Sequence, residues 1–217
     1  MLLLKRRFPF DHPEWLFELK YDGFRALARI RSGGCRLISR NGNPFASFSD
    51  LANTIAASLP SVQDAVLDGE IVCLDNRGRP QFTDLLFHRK QPCFFAFDLL
   101  WNAGMDHRLD GLLNRKHALG RLLARVPPSA PIRYADHIEG AGVALFERAC
   151  KLDLEGIVAK QKHGTYVTAR EQSTWFKIRN PRYSQWEGRE GLFQRDRSSE
   201  PVPGWHSCEL ACARAEA

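Results

Sequence analysis

No apolar run in this 217-residue sequence is long enough to enter or cross a membrane. The first residues offer only Leu2, Leu3 and Leu4 before Lys5, Arg6 and Arg7, whereas a secretory signal needs about 7–15 apolar residues and a membrane span about 18 or more. The sequence therefore reads as a soluble, cytoplasmic protein with no membrane partner. Cysteine is sparse and scattered, at positions 35, 73, 93, 150, 208 and 212. A disulfide framework does not fit a chain of this length without a secretory leader, and most of the six read as small buried hydrophobes. Cys208 and Cys212, with His206 upstream, form the one close pair, and they lack the two-plus-two spacing of a structural zinc site. Internal repeats and long low-complexity stretches are missing too, which leaves out solenoids and disordered arrays.

What is present fits a globular protein. With 44% apolar residues, the chain is long enough for one well-buried domain, or a domain and an appendage, but not for two full-sized domains. A net charge of +6 and a pI near 9.1 suit a polyanionic partner, because phosphate neutralisation supplies much of nucleic-acid affinity. Charge alone does not identify that partner.

Apolar periodicity predicts short strands interleaved with a few helices. Strands are expected over 15–20, 24–30, 37–40, 65–74, 94–101, 155–160 and 174–179. Phe48, Leu51, Ile55 and Leu59 recur at helical spacing, as do Leu119, Leu122, Leu123 and Val126, and then Val143, Phe146 and Ala149 or Cys150. Asn41-Gly42 reads as a tight turn, and Asn76-Arg77-Gly78 as the turn of a hairpin. From Asn180 the sequence becomes charged and aromatic, and Pro201 and Pro203 break any regular element. The expected division is a domain over 1–180 and a basic, aromatic tail over 181–217, in which 186–197 reads as a short basic helix or a flexible piece.

Several segments carry chemistry. Alternation along a strand puts Glu18 and Lys20 on one face, which reads as a polar, solvated face with a salt bridge, and Phe17 and Leu19 on the other. The continuation Lys20-Tyr21-Asp22-Gly23-Phe24-Arg25 allows a bend at Gly23 that returns a second cation close to Lys20. A lysine amine is a poor nucleophile at its ordinary pKa of about 10.4, and nearby cations or a metal help to free its lone pair. Lys177 and Arg179 likewise share a strand face and can flank a phosphate. Glu70 and Glu155 stand beside Gly69 and Gly156, glycines that leave room for a close ligand, and a carboxylate pair with substrate phosphates is a common way to hold Mg²⁺. Phe95, Phe97 and Leu99 are expected on one face, either as core or with Phe97 stacked on a purine.

Taken in order, these segments resemble the motifs of the covalent nucleotidyltransferases, and most closely those of ATP-dependent DNA ligases, especially small bacterial ligases and the ligase module of bacterial end-joining enzymes. Lys20-Tyr21-Asp22-Gly23-Phe24-Arg25 is similar to their nucleophile motif, Ser39-Arg40-Asn41 to the arginine segment that follows, and Asp68-Gly69-Glu70 to the first carboxylate motif. Phe97-Asp98-Leu99 is similar to the adenine-stacking motif. Glu155-Gly156-Ile157-Val158-Ala159-Lys160 is similar to the second carboxylate motif, and Trp175-Phe176-Lys177-Ile178-Arg179 to the closing basic strand. Six segments in the same order across 18–179 are far more specific than any one of them.

The resemblance implies an α+β, ATP-grasp-like adenylation domain of mainly antiparallel sheets flanked by helices. It implies that Lys20 takes AMP from ATP covalently and that Glu18 contacts the adenine amino group. Arg25 and Arg40 would meet ribose and phosphate or the nick phosphate, Glu70 and Glu155 the ribose or a Mg²⁺ or Mn²⁺ ion, Phe97 the adenine face, and Lys160, Lys177 and Arg179 phosphates. The implied reaction joins a 3′-hydroxyl to a 5′-phosphate in nicked or broken duplex DNA during repair or recombination. An oligonucleotide-binding barrel is expected to be absent after Arg179, which would make self-adenylation less efficient and the grip on a nick weaker while leaving the nucleotide pocket, so a protein partner supplying DNA contacts is expected. An RNA ligase or capping-type enzyme shares the nucleophile motif, and a non-catalytic nucleic-acid-binding remnant of a ligase is the alternative from another class.

Overall fold

The computed structural model describes residues 1–169 and 171–186. In chain order the strands are β1 (Leu4–Lys5), β2 (Asp11–Leu19), β3 (Phe24–Arg31), β4 (Gly34–Ser39), β5 (Asp64–Val72), β6 (Cys93–Asn102), β7 (Met105–Asp106), β8 (Ile132–Tyr134), β9 (His137–Ala141), β10 (Gly156–Gln161) and β11 (Trp175–Arg179). The α-helices are α1 (Ser49–Ser58), α2 (Phe82–Leu86), α3 (Leu112–Leu123) and α4 (Gly142–Lys151). Met1–Tyr183 form one compact unit, and Ser184–Trp186 form a 3₁₀ turn outside it. The proposed helix or flexible piece after Trp186, and Cys208 and Cys212, lie outside the described residues.

Two sheets organise the unit. One runs β1-β11-β10-β2-β9 and the other β4-β3-β5-β6-β7, with β8 also on β6. All pairings are antiparallel except β1 with β11 and β6 with β8. Period-two alternation then decides which side chains meet. Phe17, Ile157, Ala159 and Ile178 turn outward from the first sheet and are covered by α4 through Ala149, Leu145 and Phe146. Ala26, Ala28, Ile30, Leu67 and Ile71 turn outward from the second and are covered by α1 and α3. The opposite faces look toward each other, where Leu16 and Trp175 of the first sheet pack with Phe97 of the second.

The three expected helices are present. The second apolar repeat, Leu119 to Val126, belongs to a helix that starts at Leu112, seven positions before Leu119, and ends before Val126. The short α2 and strands β8 and β9 have too few periodic residues to be read from pattern alone. The Asn76-Arg77-Gly78 turn forms as expected: Gly78 has φ +76°, its N–H donates to Asp75 O at 2.9 Å, and Leu74 bridges Pro80. Gly42, with φ +80°, turns the chain after β4 in the same way.

One expected face is wrong. Phe95 and Phe97 point between the sheets, but Leu99 joins the outer core with Phe94 and Ala96. The cause is a bulge. Asp68 pairs with Asp98 and Gly69 with Ala96, so Phe97 is an extra residue that reverses the alternation for Asp98 and Leu99, until a second shift at Leu100 reverses it again.

Candidate active site

The nucleophile-motif segment leaves β2 where its neighbour β10 begins. Leu19 opposes Ile157, and Lys20 N–H donates to Gly156 O at 2.9 Å, so Lys20 is brought next to Glu155. The rest of the segment is fixed by packing. Tyr21 stacks on Phe95 with ring centroids 4.2 Å apart, and buried Asp22 accepts a 2.8 Å hydrogen bond from Tyr183 Oη. A Cβ on Gly23 would come within 2.0 Å of Ile71 O, so glycine is required there for β5 to pass.

Between the sheets lies a cleft lined by Glu18, Lys20, Tyr21, Arg25, Glu70, Phe97, Lys160 and Trp175, among others. Lys20 Nζ donates to Glu155 Oε2 at 2.6 Å, and Arg179 Nε lies 3.8 Å from Glu155 Oε1. Lys177 shares this cationic stretch: burial and the neighbouring charges of Arg179, Lys20 and Lys5 hold its pKa below the ordinary lysine value. Burial raises the Glu155 pKa, and Lys20 opposes that rise. Desolvation pushes Glu70 up to about 8 against the pull of Lys20 and Arg25, with Glu155 adding to the rise.

Deeper in, the charges are buried and paired. Glu18 is 3% exposed, and its two oxygens accept from Lys116 Nζ at 2.7 Å and Lys160 Nζ at 2.6 Å. Despite the burial, the two lysines hold Glu18 below its ordinary pKa. Arg25 grips Asp68 through Nε at 3.0 Å and Nη2 at 2.5 Å, while Tyr166 Oη donates to Asp68 at 2.9 Å. Arg115 makes a similar two-pronged pair with Asp98, at 2.8 and 2.9 Å, with both side chains fully buried.

The structure thus gathers Glu18, Lys20, Arg25, Glu70, Phe97 and Lys160 around one cleft, with Glu155, Lys177 and Arg179 continuing from Lys20. Arg40 is not among the cleft residues; it sits in the exposed turn after β4. Three other expectations change. The face carrying Glu18 is an inter-sheet face, not a solvated one. Arg25 gives most of its donors to Asp68 and to Met1 O, leaving few for a ligand. And the two glycines beside the carboxylates make room for protein, not ligand: a Cβ on Gly69 would lie 2.3 Å from Phe94 Cζ, and one on Gly156 2.1 Å from Ile178 O.

Sequence reasoning missed Arg115 and Lys116, which reach the buried charges from α3. A signal existed. Leu112, Arg115 or Lys116, Leu119 and Leu123 fall on one helical stripe, so the two cations interrupt an apolar face instead of decorating a wet one.

For a divalent cation, the donor set fits a shared site. The Glu70 carboxylate makes no hydrogen bond or ion pair among the described residues, and it lies within electrostatic reach of Glu155. No group of three or more His, Cys, Asp or Glu able to hold a metal forms among the described residues. Two carboxylates completed by substrate phosphates is an arrangement that suits Mg²⁺. A roomier depression lined by Ser47, Asp50, His88, Arg89 and Lys90 shares no lining residue with the cleft and has no lysine beside a buried carboxylate.

Two mainly antiparallel sheets with a cleft between them, lined by Lys20, Glu18 and Phe97, are the architecture of a nucleotidyltransferase domain. The family model for the ATP dependent DNA ligase domain matches residues 7–179, and the chain belongs to that family. It is 36% identical over 196 residues to the bifunctional non-homologous end joining protein LigD of Bacillus subtilis, covering 77% of this chain and 31% of that protein. Against the multifunctional non-homologous end joining protein LigD of Pseudomonas aeruginosa the identity is 33%, over 76% of this chain and 20% of the relative. The chain therefore spans less than a third of either relative. Its fold superposes on mycobacterial DNA ligase D complexed with ATP and MES with a TM-score of 0.71 at 28% identity, covering 82% of this chain and 59% of that one. Among the described residues no helix is long and apolar enough to cross a membrane.

Proposed function

We propose that this chain is the adenylation domain of an ATP-dependent DNA ligase, over roughly residues 1–180, and that Lys20 is its nucleophile. The observation that carries this reading is the 2.6 Å contact with Glu155 of Lys20 Nζ, whose residue lines one cleft together with Phe97. Lys20 Nζ bonds to the α-phosphorus of ATP as the bond to the β-phosphate oxygen breaks and pyrophosphate leaves. Glu155 Oε2 is the nearest acceptor for the proton that Nζ gives up. AMP then passes to a 5′-phosphate, and a 3′-hydroxyl displaces it to close the strand. Each transfer depends on charge neutralisation and in-line placement, which Lys160, Lys177 and Arg179 are suited to supply. Phe97 offers the purine a face, and Glu18 offers an acceptor to an exocyclic amino group. Mg²⁺ or Mn²⁺ held by Glu70, Glu155 and the phosphates would offset developing phosphate charge.

The substrate in this reading is nicked or broken duplex DNA, the setting is the cytoplasm, and a protein partner adds grip on the DNA. Binding to DNA rests largely on Lys and Arg and weakens steeply as salt rises. The names of the LigD relatives support an end-joining repair role.

The test is the intact mass of the protein after incubation with ATP and Mg²⁺. Wild type gains one AMP and Lys20→Ala gains none. An adduct on Lys20→Ala at wild-type level would remove Lys20 from the chemistry. Sealing of a pre-adenylated nick, compared on DNA and on a strand ending in ribonucleotides, separates the DNA ligase from an RNA-joining enzyme.

A further inference from the structure

Two lysines share Glu18, and they are held differently. Lys116 Nζ donates to Glu18 Oε1 and also to Ala135 O, both at 2.7 Å, lies 4.3 Å from the Tyr134 ring centroid and is fully buried on α3. It has three anchors and does not line the cleft. Lys160 Nζ does line it. Its hydrogen bond is to Glu18 Oε2, at 2.6 Å, and otherwise it rests on the rings of Phe97 and Trp175, at 4.3 and 4.1 Å. A lysine held by one carboxylate and two aromatic faces, on a flexible four-carbon stem, can turn toward an incoming phosphate. In doing so it would leave a buried carboxylate without its partner, which is strongly unfavourable.

We propose that Lys116 is the positioning residue that makes this exchange possible: it is the permanent counter-ion of Glu18. It keeps that carboxylate ionised and aimed as the base-reading acceptor, and it frees Lys160 for the nucleotide phosphate. The proposal rests on the adenylation reading above. An ionised carboxylate is acceptor-only, so where it faces the 6-position of the purine it accepts from the 6-amino group of ATP and repels the 6-carbonyl of GTP. Without Lys116, Lys160 must stay on Glu18. Base selection and phosphate binding then compete for a single cation.

The experiment measures covalent nucleotide adducts by intact mass with ATP and with GTP, for wild type, Lys116→Met, Lys116→Arg, Glu18→Gln and the Glu18→Gln/Lys116→Met double variant. The result expected is a loss of about tenfold or more in the ATP-over-GTP preference of Lys116→Met, with a raised half-saturating ATP concentration and partial rescue in Lys116→Arg. Because Lys116 acts through Glu18, the double variant should be no worse than Glu18→Gln alone. That variant also has no uncompensated carboxylate, so it and Lys116→Arg carry the comparison if Lys116→Met does not melt cooperatively. A folded Lys116→Met with the wild-type preference, or a double variant in which the two losses multiply, overturns the proposal. No adduct on wild type would sink the adenylation reading and this proposal with it, whereas normal adducts with unchanged preference sink this proposal alone.

Discussion

Lys20 Nζ and Glu155 Oε2 lie 2.6 Å apart although 135 residues separate them in the chain. The contact follows from the β2–β10 register, which places the last residue of one strand opposite the first residues of the other. Glu155 is 3% exposed and Lys20 is more open, so the pair sits with its acidic member inside and its amine toward the cleft.

In the proposed adenylation, that orientation assigns Glu155 the role of proton acceptor in the first transfer. Glu155→Gln keeps the shape and loses the base, so single-turnover formation of the AMP adduct should slow by about 10²-fold or more. A wild-type rate at the same ATP concentration would leave Glu155 with a structural role only.

Glu70 gives a pH dependence. Its folded pKa of about 8 lies above the ordinary 4.5, so the folded protein holds a proton that the unfolded chain has released at neutral pH. Its contribution to stability is complete below the ordinary carboxylate range and is lost as pH rises through about 8. Glu70→Gln should therefore gain stability relative to wild type at about pH 9 and not at about pH 4, read from denaturant midpoints. Binding of ATP with Mg²⁺ near neutral pH should release a proton in wild type and fewer in Glu70→Gln, measured by calorimetry in buffers of different ionisation enthalpy. Parallel stability profiles in the two proteins would place the titration elsewhere.

Phe97 is held at the cleft by Trp175, whose ring centroid is 5.9 Å away and nearly perpendicular. Loss of an aromatic face is worth about 0.5–1.5 kcal/mol beyond area burial, so Phe97→Ala should weaken ATP binding by about 2–12-fold or more. Equal affinities in an equilibrium titration would remove Phe97 from base recognition.

The Asp98–Arg115 pair is a matter of stability. Both side chains are fully buried, and Arg115 also donates to Asp110 O and Gly164 O. Removing one partner from such a pair costs about 3–5 kcal/mol, whereas an apolar replacement of both costs less. Asp98→Leu should lower the melting temperature by roughly 6–20 °C, and Asp98→Leu/Arg115→Met by less. A double variant less stable than Asp98→Leu would show that Arg115 supports the fold chiefly through the two carbonyls.

Much of this site was legible in the chain. Alternation alone put Glu18 with Lys20 and Lys177 with Arg179, since a strand's side-chain period is two wherever its pairing is regular. Helical spacing marked the three long helices, and the order of six motif segments identified the family before any contact was known. The failures share one cause: each depended on what lies across a sheet. Whether the Glu18 face is wet or buried is decided by the second sheet that covers it. Gly69 and Gly156 answer to Phe94 and Ile178, residues of neighbouring strands, and the facing of Leu99 turns on a bulge at Phe97 created by pairing with β5. Lys116 is the plainest case, for the sequence shows a lysine at a helical position that could face either way. Only the packing of α3 against the sheet brings it 2.7 Å from a glutamate 98 residues earlier, where a buried negative charge requires a cation.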